Sequence, residues 1–137
     1  MAGDGLIVAD KSLILTETFR KVVRLDDGRV FGGSGDVASM VNAAKWLNAG
    51  APADSLPTLD KEGFEGLVLE SSGAVWWFDD KCLLVPYDPP CTLGAGGEIA
   101  LAALRRGCSP RQAVEEAARN HGTVGGKITE LKPKGKR

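Results

Sequence analysis

At 137 residues, 43% of them hydrophobic, the chain has room for one domain with a real core. Its formal net charge of -1 excludes an overall basic field that would recruit nucleic acid or an anionic membrane. Three cysteines at irregular spacing (Cys82, Cys91, Cys108) exclude a disulfide framework and fit a reducing cytosol. No apolar run reaches transmembrane length, and the start carries no signal-peptide pattern.

Residues 5–9 (Gly-Leu-Ile-Val-Ala) read as a buried strand, too apolar for a solvent-facing edge. Asp10-Lys11-Ser12 turns the chain, and residues 13–15 and 21–25 are further short apolar runs. Asp26-Asp27-Gly28 is a hairpin turn with glycine where positive φ is needed, and residues 29–33 return from it. Asp36 then caps a helix whose Val37, Met40, Val41, Ala44 and Leu47 fall on one face. Gly50 and Pro52 end it. After a loop over 51–61, residues 66–70 and 74–79 form a second hairpin around Ser71-Ser72-Gly73. Trp76, Trp77 and Phe78 crowd its second strand, and core packing is favoured over a partner surface for them. Residues 83–85 and 91–93 are short strands separated by the proline-rich turn 86–90.

The closing unit carries the clearest signals. Gly94-Ala95-Gly96-Gly97 leads into a helix over 98–106 that buries Ile99, Leu101 and Leu104. Ser109, Pro110 and Gln112 then form a capping box with proline at the first helical position, opening a helix over 110–120. This helix buries Ala113, Val114, Ala117 and Ala118, turns Glu115 and Glu116 outward, places Arg119 at the negative end of its dipole and stops at Asn120-His121-Gly122. A last strand follows Gly125-Gly126. Residues 132–137 (Lys-Pro-Lys-Gly-Lys-Arg) read as a frayed solubilising tail on a domain that spans 1–131, rather than a nucleic-acid arm. Strand runs with helices segregated between them predict an α+β fold with antiparallel sheets covered by helices.

Familiar chemistries fit poorly. The glycines at 94–97 lack the third small residue of a dinucleotide fingerprint, since Ile99 stands in its place. No metal is expected: His121 is the single histidine, at a helix end, and no Cys-x-x-Cys occurs. No cofactor is expected either.

Three stretches together resemble the proteasome β-subunit and HslV peptidase family, in particular its short phage and prophage members. The first is Ala2-Gly3-Asp4-Gly5 followed by Phe19-Arg20-Lys21-Val22-Val23-Arg24-Leu25. The second is Gly28-Arg29-Val30-Phe31-Gly32-Gly33-Ser34-Gly35-Asp36 and the helix bearing Trp46-Leu47. The third runs from Leu93-Gly94-Ala95-Gly96-Gly97 through Ser109-Pro110-Arg111-Gln112-Ala113-Val114 to the Gly125-Gly126 strand. The resemblance implies an N-terminal-nucleophile (Ntn) hydrolase fold: an αββα sandwich, two antiparallel sheets between helix layers.

It also implies a mechanism. An N-terminal threonine attacks a peptide carbonyl with its own α-amino group as base, an amine whose ordinary pKa lies near neutrality. A flanking lysine favours the neutral amine and an aspartate holds the lysine. By resemblance Lys21 is that lysine and Asp4 that aspartate, with Asp10 the alternative acid. The sequence departs from the family twice. No threonine stands where the nucleophile belongs: Thr16 and Thr18 are internal, Thr123 lies close to the C-terminus, and removal of Met1 would leave Ala2 first. Ala95 replaces a serine that assists the threonine. The expectation is therefore a threonine-type peptidase subunit inactive in this polypeptide, either because its start lies about a dozen residues upstream or because it is a non-catalytic phage or prophage structural protein on the same fold. The resemblance implies a cytoplasmic homo-oligomer, a ring or stacked rings, served by an ATP-dependent unfoldase. A missing first strand would leave residues 5–9 as an edge open to pairing.

Overall fold

The computed structural model describes residues 1–3, 7–9, 13–16, 21–121 and 128–134. Their elements, in chain order, are β1 (Ala2–Gly3), β2 (Ile7–Ala9), β3 (Leu13–Thr16), β4 (Val22–Arg24), β5 (Val30–Ser34), α1 (Val37–Asn48), β6 (Glu65–Leu69), β7 (Val75–Phe78), β8 (Val85–Tyr87), α2 (Gly97–Arg105), α3 (Pro110–Asn120) and β9 (Thr129–Glu130). This is an α+β chain. It divides into two compact units, one of Met1–Val22 with Pro90–Leu131 and one of Val23–Pro89 with Lys132–Arg137. No described helix is long and apolar enough to cross a membrane.

The second unit is built on a five-stranded sheet in the order β4-β5-β6-β7-β8, with β5 to β8 pairing antiparallel. The turn after β4 forms as its residues require: Gly28 N donates to Leu25 O at 3.0 Å with Gly28 at φ +93°. The chain's last described residues close over this turn. Lys134 N donates to Gly28 O at 2.8 Å and Arg24 Nη2 donates to Lys132 O at 2.9 Å. Residues 132 and 134, read from sequence as a frayed end, are therefore hydrogen-bonded.

Asp36 caps α1 as expected, accepting from Ser39 N at 2.6 Å. Its buried face, however, is Ser39, Met40, Ala43, Trp46 and Leu47, while Val41 is exposed. The largest side chain decides the rotation. Trp46 buries its ring against Phe78 at 5.9 Å and donates Nε1–H to Pro52 O at 3.1 Å. Phe31 and Phe64 complete the cluster, 6.0 and 5.5 Å from Phe78. In register, Phe31, Val68 and Trp76 lie in one row across the sheet, and Gly33, Gly66 and Phe78 lie two rows on, on the same face. Gly66 makes room for the rings, since a Cβ there would lie 2.6 Å from Phe78 Cε1. Of the three crowded aromatics only Phe78 is fully buried; Trp76 and Trp77 are half-buried.

Two expected strands differ from the observed ones. The strand placed at 83–85 runs instead over Val85–Tyr87, and Pro86 fits within it because β8 is the last strand of the sheet. Residues 91–93 form no strand.

In the first unit, α3 has the bounds its capping signals predict. Ser109 Oγ accepts from Gln112 N at 3.2 Å and Gln112 Oε1 accepts from Ser109 N at 2.9 Å. α2 and α3 pack through Ala100, Ala103, Ala113 and Ala117, with Ile99, Leu104 and Cys108 partly buried against them. Ala113 and Ala117 are buried as expected, and on α2 the alanines, more than Ile99 and Leu104, sit at the contact because they let the helix backbones approach. Strands β1 and β9 pair antiparallel, as do β2 and β3. The stretch read as one strand over 5–9 is thus seen as β2 at 7–9, paired to β3. Residues 4–6 and Gly125-Gly126 lie outside the described residues.

Candidate active site

Strand β1 stands beside Lys21 and Val22. Ala2 pairs with Glu130 and Gly3 with Thr129, and the ladder continues as Met1 N donates to Leu131 O (2.9 Å) and Leu131 N to Met1 O (2.8 Å). α3 packs on this ribbon, where Glu130 Oε2 accepts from Arg111 N at 3.2 Å. A Cβ added to Gly3 would lie 2.6 Å from Val22 Cγ2 and 3.6 Å from Lys21 Cβ. Gly3 therefore brings the backbone of β1 against Lys21 and Val22, closer than any side chain would permit. Val22 is buried and Lys21 half-buried.

Of the residues singled out from sequence, Lys21 is thus placed next to the strand that leads to Asp4. Asp4 and Asp10 themselves lie outside the described residues. Ala95 is exposed, in the turn that opens α2. This turn is held by Gly97 N donating to Gly94 O at 3.1 Å, with Gly94 at φ +83°. Thr92 fixes it from the other side, its Oγ1 donating to Gly97 O at 2.8 Å, and a Cβ on Gly97 would meet that hydroxyl at 3.2 Å. Gly96, the N-cap, has no side chain to satisfy the first amides of α2. Ala95 offers no hydroxyl. Gly3 and Thr92 escaped the sequence reading. Thr92 was legible as the one hydroxyl beside the glycine run, whereas the role of Gly3 depends on a neighbour nineteen positions away.

Cys91 and Cys82 are poorly suited to serve as an alternative nucleophile. Burial pushes the Cys91 thiol up from its ordinary 9.0. Burial also pushes up Cys82, helped by the carboxylates of Asp80 and Asp79. Both favour the unreactive thiol at neutral pH. Because the folded chain keeps the Cys91 proton where the unfolded chain releases it, this stabilisation is complete below pH 9.0 and is lost as the pH rises through the folded value. Urea melts of the parent and Cys91→Ser at pH 8 and pH 10 should show the parent losing its advantage at the higher pH. Equal pH dependence in the two proteins would contradict the shift. His121 ends α3 as its C-cap residue, in extended conformation.

No protein-family model matches the sequence. Solved structures do. HslV of Trypanosoma brucei superposes with a TM-score of 0.70 at 16% identity, covering 93% of this chain and 88% of that one. This chain has the HslV fold. BPH of Thiobacillus denitrificans agrees with a TM-score of 0.68 at 14% identity over the same shares. A further structure of BPH, in complex with epoxomicin, gives 0.65 at 15%. The HslV fold accounts for the α+β character and the antiparallel pairing foreseen from sequence. Among the described residues the strands form one five-stranded sheet and the pairs β1–β9 and β2–β3.

Proposed function

We propose that this chain is a subunit of an HslV-like threonine-type peptidase that assembles with further copies of itself. The observation that carries this reading is the position of Lys21, half-buried and beside Gly3, within an HslV fold that spans 93% of the chain. Lys21 is the cation of the reactive corner. Its charge lowers the proton affinity of a nearby α-amine, so that the amine can take the proton of the threonine hydroxyl as that oxygen attacks the carbonyl. Asp4 is the acid that orients Lys21, with Asp10 the alternative. An ATP-dependent unfoldase is the partner that would feed such a chamber with unfolded chains.

Every threonine of these 137 residues is internal and has no free α-amine, so these residues by themselves are proposed to lack hydrolysis. Intact-mass spectrometry with a covalent threonine-directed inhibitor tests both parts. The 137-residue chain should take no adduct. The same chain preceded by a strand that starts with threonine should take one, and Lys21→Ala in that extended chain should abolish it. An adduct on the 137-residue chain would overturn the inactivity. A folded extended chain that takes none would instead favour a non-catalytic assembly protein of a phage or prophage on this fold.

A further inference from the structure

Charge is divided unevenly along this chain. Residues 49–90 hold eight acids against two lysines, and residues 91–137 hold nine arginines and lysines against four acids. Exposed large apolar side chains follow the acidic stretch: Leu83 is 70% exposed, Tyr87 48% and Val85 39%. Val85 and Tyr87 stand opposite Trp77 and Val75 in register, and the Trp77 and Tyr87 rings stack at 6.4 Å and 25°. Asp79 and Asp80 precede this patch and Asp88 follows it.

β8 is a poor edge for recruiting another strand through its backbone. Proline has no N–H, so Pro86 must occupy the pair with Trp76 whose backbone groups point away from β7. The outward amide position over 85–87 is therefore empty. A partner must be held by side chains. A stacked aromatic pair with carboxylates before and after it along the chain fits guanidinium groups, which stack on ring faces while bonding to acids.

The chain supplies such groups at the turn between α2 and α3, where Arg105, Arg106 and Arg111 are all exposed. Glu116 pairs with Arg106 at 2.9 Å and Glu115 with Arg111 at 3.3 Å, while Arg105 has no ion pair among the described residues. We propose that the β8 patch (Leu83, Val85, Tyr87, Asp80, Asp88) docks the arginines of the α2–α3 turn on a second copy of this chain. The contact is heterologous, with different patches on the two copies, so that it repeats from copy to copy. This assigns a surface to the self-association put forward above and rests on that part of the reading.

Sedimentation velocity of the whole chain at low and high salt tests it, with circular dichroism confirming that each variant is folded. The parent should associate at 50 mM salt and dissociate at 500 mM. Tyr87→Ala should weaken association at least tenfold. Asp80→Lys/Asp88→Lys and Arg105→Glu/Arg106→Glu should each be monomeric alone and should associate when mixed, because the mixture restores opposite charges at every contact. A parent that is monomeric at low salt would overturn self-association itself. A parent that associates, with folded variants that associate as well as it does, would overturn only the assigned surface. Neither result bears on the inhibitor experiment.

Discussion

Phe78→Ala should be the most damaging single truncation in the chain. Phe78 is fully buried and meets Phe31, Trp46 and Phe64 within 6.0 Å. Removing the ring loses its transfer free energy and leaves a cavity that stiff neighbours cannot collapse into, a cost of about 3–5 kcal/mol. Against the roughly 5–15 kcal/mol that holds an ordinary domain together, this is a large share. In urea melts the midpoint should fall sharply with the slope unchanged. A loss under about 1 kcal/mol would mean that the cluster is not packed as described.

Gly3→Ala should cost less stability and bear more on the site. The new methyl would overlap Val22 Cγ2 at 2.6 Å. Val22 is β-branched and 2% exposed, so it has little freedom to rotate away. β1 must then lift from Val22, at about 1–3 kcal/mol. Backbone amide resonances of Lys21, Val22, Thr129 and Glu130 should move more than those of the β5–β6 ladder. Unchanged stability with unmoved Lys21 signals would show that the contact between Gly3 and Val22 is loose.

Local chemistry made part of this fold readable. Ser109, Pro110 and Gln112 each act within one turn of helix, and α3 has the limits they set. Gly28 and Gly73 mark their hairpins because positive φ is a property of the residue itself. Wherever a distant neighbour decides, the pattern misled. The apolar periodicity of α1 omitted Ala43 and Trp46, because nothing along the helix announces Phe78 on another strand. β8 was displaced by two residues because proline reads as a breaker until the strand is known to be an edge. At the site, Lys21 was reached through resemblance rather than periodicity, because nothing in the local pattern distinguishes it from the other lysines.

The missing amide at Pro86 has a bearing on how this protein behaves when crowded. Growth of cross-β fibrils needs a sheet margin that offers donors and acceptors in alternation to each incoming chain. At the β8 end of the five-stranded sheet that template is interrupted at its middle residue. The exposed Leu83 and Tyr87 therefore lie beside a margin that is a poorer template for cross-β growth.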